Sequence, residues 1–117
     1  MDHDAVMDAQ LARLDKLGGP AFVRKMVRLF LDIVPQRLAS IEQGLRTGDL
    51  PAVEQAAHAL KSSAGNLGAV VAQELCEQME GLAGAGKSDS LPALLEQLRQ
   101  SLEQAVARLQ PIGDAAP

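Results

Sequence analysis

Apolar residues recur every three or four positions along most of this chain, and this period constrains the fold more than any other feature. It is the repeat of an amphipathic α-helix, in which 3.6 residues make one turn. The longest apolar stripe consists of Phe22, Met26, Leu29, Phe30, Ile33, Leu38, Ile41 and Leu45. β-Branched residues are scarce and never alternate with polar ones, as a half-buried strand requires. The sequence therefore predicts an all-α protein.

Glycine, proline and aspartate residues divide the pattern into helical segments. The segments cover about residues 4–17, 20–47, 50–67, 69–83 and 91–110. Pro20 is expected at the first position of the second helix, where its missing N–H costs nothing. Pro35 should kink that helix without ending it, because the apolar stripe resumes afterwards. Asp49 is a suitable N-cap for the third helix, and Pro111 is expected to end the last one.

A chain of 117 residues is the size of one domain. Four long amphipathic helices joined by short loops pack most simply as an antiparallel up-down-up-down four-helix bundle. The short additional N-terminal helix should then cap one end of the bundle. We therefore expect a single helical domain over residues 1–110 and a disordered tail over residues 111–117.

The composition argues against several classes of function. The net charge is −4, and no dense cluster of Lys and Arg exists to neutralise nucleic-acid phosphates, so no nucleic-acid partner is expected. No apolar stretch approaches the roughly 20 residues that span a bilayer. The single cysteine, Cys76, excludes an internal disulfide and a CxxC motif. The acidic start, MDHDAVMDAQ, is unlike a signal peptide. We expect a cytoplasmic monomer without membrane contact.

The third helix has two clearly different faces. Its core stripe lies within an arc of roughly 100° and consists of Val53, Ala56, Ala57, Leu60, Ala64 and Leu67. His58 falls about 160° from Leu60, on the opposite side of the helix. Gly65, Ser62 and Lys61 fall within about 20°, 40° and 60° of His58. The four residues therefore share one exposed face, with His58 at its centre.

Each of these four residues has an ordinary interpretation and a functional one. His58, Lys61 and Ser62 are in the ordinary case solvated surface residues, and Gly65 marks a fraying helix end. In the functional interpretation, His58 is a nucleophile, since neutral imidazole predominates in an ordinary histidine at neutral pH. Lys61 would then offset the charge of a phosphoryl group, and Ser62 would donate a hydrogen bond to it. Gly65 destabilises the helix by about 1 kcal/mol relative to alanine, and its missing side chain would let a partner protein approach His58.

The stretch AAHALKSSAGNLGA resembles the phosphoacceptor motif of histidine-containing phosphotransfer (HPt) domains, H-x-L-K-G-S-S-x-x-L-G-A. The matching positions are His58, Leu60, Lys61, Ser63, Leu67, Gly68 and Ala69. Ser62 stands where glycine is commoner in the family. The preceding helix, with its internal proline, and Cys76 and Glu80 in the next helix are also similar to the family, so the resemblance covers nearly the whole chain.

The resemblance implies a four-helix bundle with an exposed acceptor histidine that is phosphorylated on Nε2. By position, His58 is the phosphoacceptor, Lys61 neutralises the phosphate, and Ser62 and Gly65 lie where a partner docks. The implied partners are receiver domains, whose aspartate exchanges the phosphoryl group and which bring the Mg²⁺. This chain itself should bind no cofactor or metal. It lacks a Gly-rich phosphate loop and a Walker motif, so we expect a phosphoryl carrier and not an autonomous enzyme.

Two alternatives remain open. In the first, the chain is the phosphoacceptor of a chemotaxis-type, ATP-dependent histidine kinase domain rather than of a receiver. In the second, the chain is a helical interaction module in which His58 is never phosphorylated.

Overall fold

The computed structural model describes residues 2–115, and all regular secondary structure in that range is helical. The helices are α1 (His3–Thr47), α2 (Leu50–Asn66), α3 (Val70–Gly84) and α4 (Leu91–Gly113). The predicted all-α class is confirmed. Between residues 2 and 115, no helix is long and apolar enough to cross a membrane.

The break predicted at Gly18-Gly19 is present in the structure as a kink at one residue. α1 therefore consists of two helical segments within one run of 45 residues, and they meet at Gly19, which is non-helical with φ 79° and ψ −178°. Such a positive φ is readily adopted only by glycine. Helical geometry resumes at once because Pro20 carries a φ suited to a helix start. The helix likewise continues past Pro35.

The junctions before and after α2 lie where the sequence predicts them, so α2 corresponds to the third predicted helix. Gly48 ends α1 in the left-handed conformation, with φ 73°. The Asp49 carboxylate then accepts a hydrogen bond from the Ala52 N–H at 3.1 Å, so the predicted N-cap is confirmed. Only three residues separate α2 from α3, and Gly68 among them has φ 73°. The short connection brings α2 and α3 side by side.

The core is built from aliphatic side chains of all four helices. Its largest fully enclosed members include Phe30, Ile41, Leu60, Met79, Leu98 and Leu102. The stripe predicted on α2 is confirmed, since its six side chains are each no more than 1% exposed. Cys76 is completely buried, and this burial raises the pKa of its thiol to about 12.

The end of the last helix differs from the prediction. Pro111 does not end α4, which continues to Gly113, so the disordered tail predicted from residue 111 is wrong for residues 111–113. Tertiary contacts offset the missing proline N–H. Arg28 Nε donates to the Gly113 carbonyl at 2.8 Å, and a Cβ on Gly113 would lie 2.8 Å from Leu31 Cδ1. The last two residues of the predicted tail, 116–117, lie outside the described range.

Candidate functional site

His58 lies on the exposed side of α2, where the helical wheel places it. Its side chain is 62% exposed. The ring is nevertheless held in place, because Nδ1 lies 2.9 Å from Oε1 of Glu80 on the neighbouring helix α3. An accessible imidazole is thus anchored at one nitrogen only.

Glu80 connects His58 to Lys61. While Oε1 accepts from the imidazole, Oε2 lies 2.9 Å from the Lys61 ammonium. Oε2 is closed off from solvent and has no other polar partner within residues 2–115. An enclosed carboxylate oxygen is costly unless it is compensated, and Lys61 provides that compensation. One carboxylate therefore orders both predicted functional side chains.

The contact with Glu80 determines which ring nitrogen is nucleophilic. An ionised carboxylate only accepts hydrogen bonds, so Nδ1 must carry the proton that it shares with Glu80. In the neutral ring the lone pair then resides on Nε2. Within the part of the chain that the structure describes, Nε2 has no hydrogen-bond partner. The arrangement offers Nε2 to an incoming electrophile.

The charges of this cluster reinforce one another. The hydrogen bond from Lys61, followed by the one from His58, holds the pKa of the Glu80 carboxyl below its usual value. In turn, the hydrogen bond to Glu80 raises the pKa of the Lys61 ammonium. Glu80 therefore stays ionised at neutral pH, as its contacts with both partners require.

The Glu80 carboxyl should titrate below 4.5, the usual value for a glutamate. The pairing stabilises the fold above that pH, and the stabilisation is lost as the pH falls through the lowered pKa of folded Glu80. Lys61→Met removes the largest cause of the lowered pKa, so the titration midpoint of the Glu80 carboxyl should rise toward 4.5. Carbon-13 NMR of the Glu80 carboxyl measures both midpoints. An unchanged midpoint in the variant would show that Lys61 does not hold the carboxylate.

Ser62 and Gly65 lie on the same side of α2 as His58. Ser62 is exposed, whereas Gly65 is half-buried. A Cβ on Gly65 would lie 2.9 Å from Nε2 of Gln73, so this side chain of α3 occupies part of the space beside the glycine. α2 continues to Asn66, which places Gly65 within the helix and not in a frayed end. The structure thus groups all four predicted residues and adds Glu80 to them.

Comparison with known proteins gives the class of this protein. The model of the family described as "Hpt domain" matches residues 25–108. The chain therefore belongs to the Hpt domain family, and it is a histidine phosphotransfer protein of the phosphorelay type. Members of this family are phosphoryl carriers and not catalysts, and they interact with receiver domains of two-component systems.

A solved structure supports the same conclusion over nearly the full length. The fold is similar to the crystal structure of histidine-containing phosphotransfer protein B (HptB) from Pseudomonas aeruginosa PAO1, with a TM-score of 0.84 and 28% sequence identity. The match covers 93% of this chain and 95% of that chain. No curated protein sequence matches this chain significantly.

Proposed function

We propose that Nε2 of His58 accepts a phosphoryl group from the phosphoaspartate of one receiver domain and passes it to the aspartate of another. The observation that carries this proposal is the single-sided anchoring of an exposed ring. Glu80 binds Nδ1 at 2.9 Å, while the side chain remains 62% exposed. This geometry favours reaction at Nε2 with a protein-bound donor.

In the proposed transfer, the Nε2 lone pair attacks phosphorus and the bond between phosphorus and the aspartate oxygen breaks. The aspartate departs as a carboxylate, so no proton is needed on the leaving group. The imidazole retains its Nδ1 proton and becomes cationic as the bond to phosphorus forms. The Glu80 carboxylate beside that proton stabilises the new positive charge. Return of the phosphoryl group to a second aspartate reverses these steps.

Lys61 is proposed to offset the charge of the phosphoryl oxygens. It lies one helical turn from His58, and its ammonium is already fixed at 2.9 Å from Glu80. Phosphoryl transfer passes through a loose transition state, so positioning and charge compensation supply most of the catalysis. We propose that the receiver domain brings the Mg²⁺ and that this chain binds no cofactor.

We propose that the helices alternate in direction. Supporting this, Glu42 of α1 lies 3.1 Å from Arg99 of α4, while Arg28 of α1 donates to Gly113 of α4 at 2.8 Å. The earlier residue of α1 thus pairs with the later residue of α4.

We further propose a cytoplasmic monomer without a nucleic-acid partner.

Phosphotransfer profiling against the receiver domains of the same genome tests this function. Each phosphorylated receiver is mixed with the chain, and acid-labile phosphate on the chain is measured. A chemotaxis-type histidine kinase domain with ATP forms a separate arm. Rapid labelling by at least one receiver supports the proposal. Labelling by the kinase alone favours the kinase-substrate alternative, and receiver binding without any label favours a non-phosphorylated module.

Gly65→Leu should impair transfer from a receiver without unfolding the chain. The added side chain displaces only the flexible end of Gln73, and leucine is a better helix former than glycine by roughly 0.8 kcal/mol. Bulk beside His58 should nevertheless keep a protein donor away, and we expect at least a tenfold fall in kcat/KM. Phosphoramidate, a small phosphodonor, should label the variant normally. Equal transfer from the receiver to variant and wild type would exclude Gly65 from the docking surface.

A further inference from the structure

The contact between Glu80 and Nδ1 of His58 has a consequence for the phosphorylated chain. An ionised carboxylate accepts hydrogen bonds and donates none, so it is compatible only with a ring that carries a proton on Nδ1. An amide in its place would suit both forms of the ring, because its oxygen accepts from a protonated Nδ1 and its N–H group donates to a bare one. Glutamate at position 80 therefore keeps the proton on the ring.

The Glu80 carboxylate is fixed beside the ring. Oε1 lies 2.9 Å from Nδ1 of His58, while Oε2 is closed off from solvent and lies 2.9 Å from the Lys61 ammonium. The carboxylate cannot turn away from Nδ1 without losing this arrangement. The other charged residues within about one turn of the pair are Glu54 on α2 and Glu77 on α3. Within residues 2–115, Glu80 is the acidic residue that contacts the ring.

The proton on Nδ1 determines how the ring leaves phosphorus. When water attacks a phosphoryl group on Nε2, the new bond joins the water oxygen to phosphorus, and the electron pair of the broken bond goes to Nε2. The products are dihydrogen phosphate and, if Nδ1 is protonated, neutral imidazole. Without that proton the ring must leave as imidazolate, a far stronger base. Because the bond to the leaving group is largely broken in the loose transition state, this difference strongly affects the rate.

Water reaches the phosphoryl position of the free chain. The His58 side chain is 62% exposed, and Nε2 has no hydrogen-bond partner in the described part of the chain. On the same face of α2, Ser62 is itself exposed and Gly65 contributes no side chain. A phosphorylated ring consequently meets solvent whenever no partner is docked, and its lifetime depends on how readily the ring leaves.

We propose that Glu80 sets a short lifetime for the phosphoryl group on His58, because it keeps Nδ1 protonated and so makes the ring a good leaving group. This inference rests on the part of the proposed function that places phosphate on Nε2. The same carboxylate that assists loading makes the loaded chain a rapid donor. In the absence of an acceptor, the phosphoryl group passes to water, and the signal decays on the carrier itself.

Hydrolysis of the isolated phosphorylated chain at two pH values tests this inference. Wild type, Glu80→Gln and the control Glu77→Gln are loaded with phosphoramidate and freed of donor, and loss of the acid-labile label is followed. At pH 8, Glu80→Gln should lose its label at least about fivefold more slowly than wild type, since an adjacent carboxylate typically extends protonation of a cationic group by about one pH unit or more. The Lys61 ammonium, left without its counter-charge, acts in the same direction.

The rates at pH 6 separate this effect from a structural one. At that pH most histidine rings are protonated, so all three proteins should agree within about twofold. Glu77→Gln should follow wild type at both pH values. Equal rates for wild type and Glu80→Gln at pH 8, an equal slowing in Glu77→Gln, or a slowing of Glu80→Gln that is as large at pH 6 would each overturn the role of Glu80 in the lifetime.

The wild type decides the question if circular dichroism shows that Glu80→Gln does not fold. Its hydrolysis rate should fall by less than about tenfold from pH 6 to pH 8, whereas an ordinary histidine ring loses its proton roughly twentyfold over that range. The steeper fall would overturn the inference. Failure of the proposed function is recognised separately, because absence of transfer from every receiver to wild type would overturn that function and leave the lifetime measurement intact.

Discussion

Replacement of His58 by glutamine is expected to abolish phosphoryl acceptance while the protein stays folded. Glutamine has a similar reach but no nucleophilic ring nitrogen. The native side chain is 62% exposed and belongs to no part of the core, so the free energy of unfolding should change by no more than about 0.5 kcal/mol. Acid-labile label after incubation with a phosphorylated receiver measures acceptance, and circular dichroism measures helix content.

His3→Gln is the matched control for this variant, because His3 and His58 are the two histidines of the chain. His3 is also exposed and lies at the start of α1. The control should be labelled at the wild-type rate. Undiminished labelling of the His58 variant would place the phosphoryl group elsewhere and contradict the proposed function.

Glu80→Gln should give the second-largest effect, a loss of about ten- to a hundredfold in the rate of transfer, by analogy with the mutation of carboxylates that orient metal-binding histidines. The amide is nearly isosteric but neutral. It therefore cannot stabilise the cationic ring that forms during transfer, and it leaves the Lys61 ammonium without its counter-charge. Single-turnover transfer from a saturating phosphorylated receiver measures the effect, which should appear in the rate constant and not in KM.

Glu77→Gln provides the control for Glu80. Glu77 is exposed, lies almost one turn earlier on α3 and has no hydrogen bond or ion pair among the residues that the structure describes. Glu77→Gln removes the same charge as Glu80→Gln near the same surface, so a general electrostatic effect would appear in both variants. A rate for Glu80→Gln equal to that of Glu77→Gln would remove Glu80 from the mechanism.

The sequence was sufficient to predict the face of α2 on which the site is built. The helical period places Leu60 and its apolar neighbours in one stripe, which must be buried. His58 lies opposite that stripe, so its exposure could be predicted. Lys61, Ser62 and Gly65 followed from the same period. These are local relations within one helix, and the structure places the four residues together.

The role of Glu80 depends on packing between helices, which the period of one helix does not determine. Glu80 was included in the family resemblance but not among the predicted site residues. One signal was available: His58 lies nine residues before Leu67 and Glu80 lies eleven residues after Ala69. Residues at similar distances from a short turn meet when the chain folds back on itself.

Gly19 and Pro111 gave the sequence prediction the same kind of local signal, which holds at Gly19 as a kink and fails at Pro111. Both residues are strong local signals for the end of a helix, and the sequence was interpreted on that basis. At Gly19 the following proline lets the helix resume, and at Pro111 the contacts of Arg28 and Gly113 hold the last turn in place. Tertiary contacts of this kind override local propensity.

Nitrogen-15 NMR of the histidine rings tests the central claim most directly. Histidine-labelled chain is observed before and after transfer from a phosphorylated receiver. We predict a proton on Nδ1 of His58 in the free chain and, after transfer, coupling of phosphorus to Nε2 of His58 with Nδ1 still protonated. Coupling to Nδ1, or a phosphorylated chain whose His58 signals are unchanged, would contradict the account.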